Sequence, residues 1–130
     1  MTTAQTTAQR FRAGVEAGDI DAMVECLADD VVFRSPVTFK TYETKPMVGH
    51  ILRTVFTVFE DFRYENELSG GGADALHFVA RVGEREVEGI DLVRENADGL
   101  IDDFAVFVRP LSGLQALAEQ MKAKLGAPPS

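Results

Sequence analysis

The chain has 130 residues, with 13 Lys and Arg against 21 Asp and Glu for a formal net charge of −8, nine Phe, no Trp and one Cys. A chain of this length buries about two-thirds of its unfolded surface as one domain, so residues 1–130 are read as a single domain that needs no metal or disulfide to fold. The acidic balance excludes nucleic acid as a partner, because a phosphate backbone must be met by clustered Lys and Arg, and the lone Cys26 excludes an internal disulfide framework.

The opening Met1-Thr-Thr-Ala-Gln lacks the apolar core of a signal peptide, and no stretch reaches the roughly 18 apolar residues that cross a bilayer. No membrane partner is expected, and the expected location is the cytoplasm. Residues 1–3 and 126–130 are expected to be flexible. Ala4, Ala8, Phe11 and Val15 share one face of a helix that ends at Gly18. Asp19 caps a second helix, Ile20 to Ala28, with Ile20, Met23, Val24 and Leu27 as its buried stripe. Val31 to Ser35 reads as a strand closed by Pro36, and a loop follows. A third helix opens at Thr44-Lys45-Pro46, with Val48, Leu52, Val55, Phe56 and Phe59 along one face.

From Asp61 the period changes to two, giving strands near 61–68, 74–82, 85–94 and 100–109. Gly70-Gly71-Gly72, Gly83-Glu84 and Asn96-Ala97-Asp98-Gly99 separate them as a loop and two hairpin turns, so the sheet is a meander. Pro110 ends the last strand, and Leu111, Leu114, Leu117, Met121 and Leu125 return to helical spacing. The order is ααβαββββα, an α+β domain whose antiparallel sheet is covered on one face by helices.

Ala17-Gly18-Asp19-Ile20-Asp21, Leu27-Ala28-Asp29-Asp30-Val31-Val32-Phe33 and Ser35-Pro36-Val37, with Gly89-Ile90-Asp91 and Gly99-Leu100-Ile101 further on, resemble the nuclear transport factor 2-like superfamily. SnoaL-like and ketosteroid isomerase-like proteins belong to it. The resemblance spans almost the whole chain and implies a cystatin-like cone: a strongly curved sheet wrapped around a pocket. It implies no single activity, since isomerases, polyketide cyclases, dehydratases, epoxide hydrolases and non-catalytic binding modules share the fold. Ketosteroid isomerases use a Tyr on the first helix, an Asp before the Pro of the first strand as general base, and a protonated Asp on the penultimate strand. The matching positions are Phe11, Ser35 and Asp91. Phe11 has no proton to donate and Ser35 lacks an activating base, so the resemblance does not extend to the steroid reaction itself.

Strand alternation puts Val87, Gly89, Asp91 and Val93 on one face, and the Gly83-Glu84 turn sets Leu76, Phe78 and Ala80 opposite Asp91, Gly89 and Val87. The resemblance turns that face inward, together with Phe104, Val106 and Val108. Asp91 is then expected in a cavity with Phe11, Phe33, Ser35, Phe78, Val93, Phe104 and Val106, where burial raises its pKa. There it serves as acid, base or hydrogen-bond donor, or else pairs with an Arg or an ordered water. His77 is expected on the outer face beside Ile90, and His50 in solvent. Tyr64 is placed on one face with Phe62, Asn66 and Leu68, packing the sheet or forming a polar pocket end with Asn66. Cys26 reads as a plain structural thiol. Glu84, Glu86 and Glu88 read as an ion-paired or solvated face rather than a metal site, and no metal or organic cofactor is expected.

Ile90, Leu92, Val79, Ala105 and Phe107 make the outer sheet face apolar enough to suggest a homodimer through it, as superfamily members commonly form. The functional expectation is a pocket for a small hydrophobic molecule, with isomerase, cyclase or lyase-like proton transfer centred on Asp91. The alternative is a non-catalytic binding or dimerisation module on the same fold.

Overall fold

Thr6 opens the first helix with a reciprocal pair of hydrogen bonds: its side chain accepts from the Gln9 amide while the Gln9 side chain accepts from the Thr6 amide. The computed structural model describes residues 6–125, so Ala4 and both ends expected to be flexible lie outside the described residues. In chain order the elements are α1 (Thr7–Ala17), α2 (Ile20–Glu25), β1 (Leu27–Arg34), β2 (Thr41–Glu43), α3 (Lys45–Val58), β3 (Glu60–Gly70), β4 (Ala73–Val82), β5 (Arg85–Glu95), β6 (Ile101–Arg109) and α4 (Leu111–Leu125). The α+β class and the order ααβαββββα hold, with one short strand added.

Two boundaries differ from the sequence reading. The second helix stops at Glu25, because Cys26 caps it and the Ile101 amide donates to the Cys26 carbonyl at 2.8 Å, drawing Leu27 into a parallel pairing with Ile101. Sheet pairing here overrides a helical pattern. The strand missed in the loop after Pro36 is β2, whose Thr41, Tyr42 and Glu43 pair with Arg34, Phe33 and Val32. It is too short to show a period.

The six strands form a single curved open sheet in the order β2-β1-β6-β5-β4-β3. The last four make the expected meander, and only β1 against β6 is parallel. Leu76, Phe78 and Ala80 stand opposite Asp91, Gly89 and Val87, the register set by the Gly83-Glu84 turn. The helices cover one face. Phe11 and Ala8 of α1, Met23 of α2 and Val48, Ile51 and Leu52 of α3 close over Leu27, Phe33, Phe78, Val93 and Phe104. Helix α4 approaches β5 closely enough that a Cβ on Gly113 would meet Val87 Cγ1 at 2.5 Å, so only glycine lets it seat there. Among the described residues no helix is long and apolar enough to cross a membrane.

Candidate functional site

Between the helices and the sheet lies a cavity of about 110 Å³. Its wall is built from one face of α3 (Ile51, Leu52, Val55, Phe56), from Phe59 and Phe62 beyond that helix, from Phe11 of α1, and from Phe33, Phe104 and Val106 of the sheet. Ser35, Pro36 and Val37, the Tyr42 ring, and Leu117, Met121 and Leu125 of α4 complete it. Most of these rings meet at wide angles. Phe11 and Phe104 stand at 67° with centroids 5.2 Å apart, and Phe56 and Phe62 at 75° and 5.2 Å, so the wall presents ring faces as well as edges.

Asp91 is the one acidic side chain in this wall. It reaches the cavity because β5 alternates regularly: Val87, Gly89, Asp91 and Val93 are buried, while Ile90 on the opposite face is 37% exposed. Tyr64 donates its hydroxyl to Asp91 Oδ2 at 2.8 Å, and both side chains are buried. Oδ1 has no hydrogen-bond partner among the described residues. Oδ1 is not fully enclosed, and Asp91 is part of the cavity wall. No Lys or Arg among the described residues pairs with the carboxyl. Burial without a cation lifts its pKa from 3.8 to about 7, against the smaller downward pull of the Tyr64 hydrogen bond. Burial, and next the Asp91 charge, push the Tyr64 phenol well above its usual value, so Tyr64 stays a donor.

Tyr64 shares its face with Phe62, as the period of β3 implied, but not with Asn66 or Leu68. Counted back from the Gly70–Ala73 pair at the hairpin, regular pairing would set Tyr64 across from Val79 on the outer face. A bulge at Glu65 shifts the register by one, so Tyr64 faces Phe78 on the inner face while Asn66 pairs with His77 on the outer one. Tyr64 and Asn66 therefore do not share a face, and Leu68 is 62% exposed. The Arg12 guanidinium lies over the Tyr64 ring, 5.7 Å from its centroid, and is itself paired with Glu16 and Glu67.

Phe11, Phe33, Ser35, Phe104 and Val106 all border the cavity with Asp91. Phe78 and Val93 do not. Phe78 lies behind Phe62, stacked at 4.8 Å and 25°, and Val93 is fully buried against Phe104 across the strand pair. Ser35 accepts a hydrogen bond from the Val37 amide at 3.1 Å, which shapes the turn after β1. Most of the wall's helical half went unassigned, because the α3 and α4 stripes read equally well as core.

His77 lies on the outer face opposite Ile90, hydrogen-bonded to Asn66 and, through Nε2, to Glu88 at 2.7 Å. Glu88 is held below its ordinary pKa by Arg109 and then by His77. His50 is exposed. Arg81 pairs with Asp61 and Arg34 with Asp103, so these acids serve ion pairs. Burial raises the pKa of the Cys26 thiol, which donates to the Ala22 carbonyl.

The profile of the SnoaL-like domain family matches residues 8–104. The chain belongs to the SnoaL-like domain family. Among solved structures, this SnoaL-like domain is similar to a steroid delta-isomerase from Pseudomonas aeruginosa, 47% identical over 92% of this chain and 88% of that one, with a TM-score of 0.87. It is also similar to a bacterial protein with a cystatin-like fold from Silicibacter pomeroyi DSS-3, at 37% identity over 92% and 84% of the two chains and a TM-score of 0.87. A nuclear transport factor 2-like protein of unknown function from Burkholderia xenovorans LB400 shares the fold at 14% identity, over 84% and 88%, with a TM-score of 0.67. No curated protein matches the sequence. The SnoaL-like domain thus has the superfamily and fold that its opening motifs implied.

Proposed function

We propose that the SnoaL-like domain binds a small hydrophobic molecule carrying one polar group, and that Asp91, backed by Tyr64, is the group that exchanges a proton with it. One observation carries this reading: a single carboxyl with an oxygen free of any partner among the described residues stands in a largely apolar cavity, with a pKa raised to about 7. Such a group is poised to give or take a proton near neutral pH, the condition for efficient general acid or base work. A buried carboxyl without a cation also costs folding energy, so its retention at this inward position favours a role.

Similarity to a steroid delta-isomerase supports isomerase-like chemistry in general. The steroid substrate fits less well. The cavity, about 110 Å³, is smaller than the roughly 150 Å³ that admits benzene, and the positions matching the isomerases' base and second donor hold Ser35 and Phe11. Those same two residues favour a second reading, binding without catalysis.

The test records amide and methyl spectra of the labelled protein while five- to seven-membered cyclic ketones, alcohols and amines are added in deuterated water. Shifts confined to the cavity residues support binding, and their absence with every compound overturns the reading. Deuterium entering a carbon of the bound molecule, and lost with Asp91→Asn, supports catalysis. Binding without exchange selects the non-catalytic module.

A further inference from the structure

The chemistry of the cavity narrows what its polar group can be. Asp91 shares the cavity wall with the rings of Phe11, Phe33, Phe56, Phe62 and Phe104, and among the described residues no Lys or Arg lines the cavity or pairs with the carboxyl. From β3 the titratable group that reaches it is the Tyr64 hydroxyl. Val106 and Leu76 flank it on β6 and β4. On α1, Arg12 lies over the Tyr64 ring and is engaged by Glu16 and Glu67, and Arg10 donates to Thr7. Helices α3 and α4 present apolar side chains to the cavity. Aromatic faces carry negative quadrupole density and attract a cation, most strongly when it is desolvated. A carboxylate among them supplies the full countercharge. The net charge of −8 also favours the approach of cations over anions.

Resting on the pocket reading above, we infer that the preferred ligand is a small, compact hydrophobic amine bound as its ammonium ion, its N–H directed at Asp91 Oδ1 and its carbon groups against the phenylalanine rings. The volume, about 110 Å³, limits the ligand to a compact molecule of at most about six non-hydrogen atoms. When the ammonium ion enters while Asp91 is protonated, the carboxyl O–H bond breaks, that proton passes to solvent, and a carboxylate–ammonium pair remains. The amine keeps its own proton. Binding is therefore linked to proton release and strengthens as pH rises through the folded pKa of Asp91. A neutral carbonyl ligand obeys the opposite rule, because it accepts a hydrogen bond only from the protonated carboxyl.

A matched pair separates the two: N-methylpyrrolidine, protonated across the range used, and cyclopentanone, with the same number of non-hydrogen atoms. Each is titrated calorimetrically into the wild-type protein at about pH 5.5 and about pH 8.5. With the Asp91 pKa at about 7, the ionised fraction rises from about 3% to about 97%, so the amine should bind about 30-fold more tightly at the higher pH. Near pH 7 its apparent enthalpy should vary with buffer ionisation enthalpy, reporting about half a proton released per amine bound. Asp91→Asn should abolish the pH dependence and most of the affinity, while the wild-type pH series stands even if that variant misfolds. Tighter binding of cyclopentanone, favoured at low pH, would overturn the amine inference and leave the pocket reading intact. Amine binding indifferent to pH overturns it as well. If neither probe binds, both readings fall.

Discussion

The ring of Phe78 lies against the bare Cα of Gly89, directly across the β4–β5 pair. A Cβ on Gly89 would fall less than 3.0 Å from two carbons of that ring and from the Phe107 carbonyl oxygen. Phe78 in turn supports Phe62, which lines the cavity, and packs edge-on to Tyr64. One missing methyl group thus fixes the inner layer on which the site rests.

Gly89→Ala should therefore destabilise the fold by about 2–3 kcal/mol, at the upper end of ordinary overpacking, because a backbone carbonyl cannot move aside as a side chain can. Adding Phe78→Leu should restore only part of the loss, the contact with the Phe107 carbonyl remaining. Urea melts of the wild type and the two variants check this, and a single Ala variant as stable as the wild type would refute the packing argument.

Steroid chemistry gives a second expectation. The wild-type protein should not isomerise a β,γ-unsaturated 3-ketosteroid at a rate near the roughly 1–10³ per second of ordinary enzymes, since Ser35 is engaged with the Val37 amide and has no base beside it. Ultraviolet assay of the conjugated product decides this. The complementary Ser35→Asp, Phe11→Tyr double variant tests whether the missing groups alone separate this pocket from the steroid reaction.

How far the sequence carried depends on which local rule governed each residue. The β5 face and the β4–β5 register followed from strict alternation and a two-residue turn, so Asp91 was placed from one sequence. The grouping of Tyr64 with Asn66 and Leu68 failed because a bulge has no composition signal: Glu65 is an ordinary strand residue, yet it reverses the face of everything toward the hairpin. Phe78 and Val93 were assigned to the correct side of the sheet, but alternation cannot tell a wall from the layer behind it. The difference lies in Phe62, which arrives from another strand and covers Phe78. The α3 stripe likewise gave burial and not cavity, for a helix facing a void has the same period as one facing a core.

The outer sheet face yields a third expectation. Phe107 is 56% exposed and Ile90 37%, with Leu92 and Val79 half-buried on the same side of β4, β5 and β6, where His77, Glu88 and Arg109 also stand. Two copies should pair across it about a two-fold axis. Sedimentation velocity of the wild-type protein should report twice the chain mass, and Phe107→Asp or Leu92→Asp should return it to monomer by burying an unpartnered charge twice. A wild-type monomer at micromolar concentration would refute the pairing.

The last expectation tests the Asp91 environment without any ligand. The folded pKa, about 7, lies above the unfolded value, 3.8, so between these the folded state holds the proton more tightly than the unfolded one. Stability therefore falls as pH rises through that window and levels off above the folded value, the full difference amounting to roughly 4 kcal/mol. Asp91→Asn removes the ionisation but adds an amide N–H with no acceptor beside it, a cost of about 1 kcal/mol. The variant should then be less stable than the wild type by somewhat under 1 kcal/mol at about pH 3.5 and more stable by about 3 kcal/mol at about pH 8.5, so the two stability curves cross at about pH 4.5. Tyr64→Phe deletes the hydrogen bond that favours the carboxylate, and should extend the decline to higher pH by raising the Asp91 pKa further. Urea melts across this range measure all three proteins. An Asp91→Asn variant less stable than the wild type at the alkaline end would mean that the carboxylate is held by a favourable charge partner, and the uncompensated-acid account of the cavity would fail.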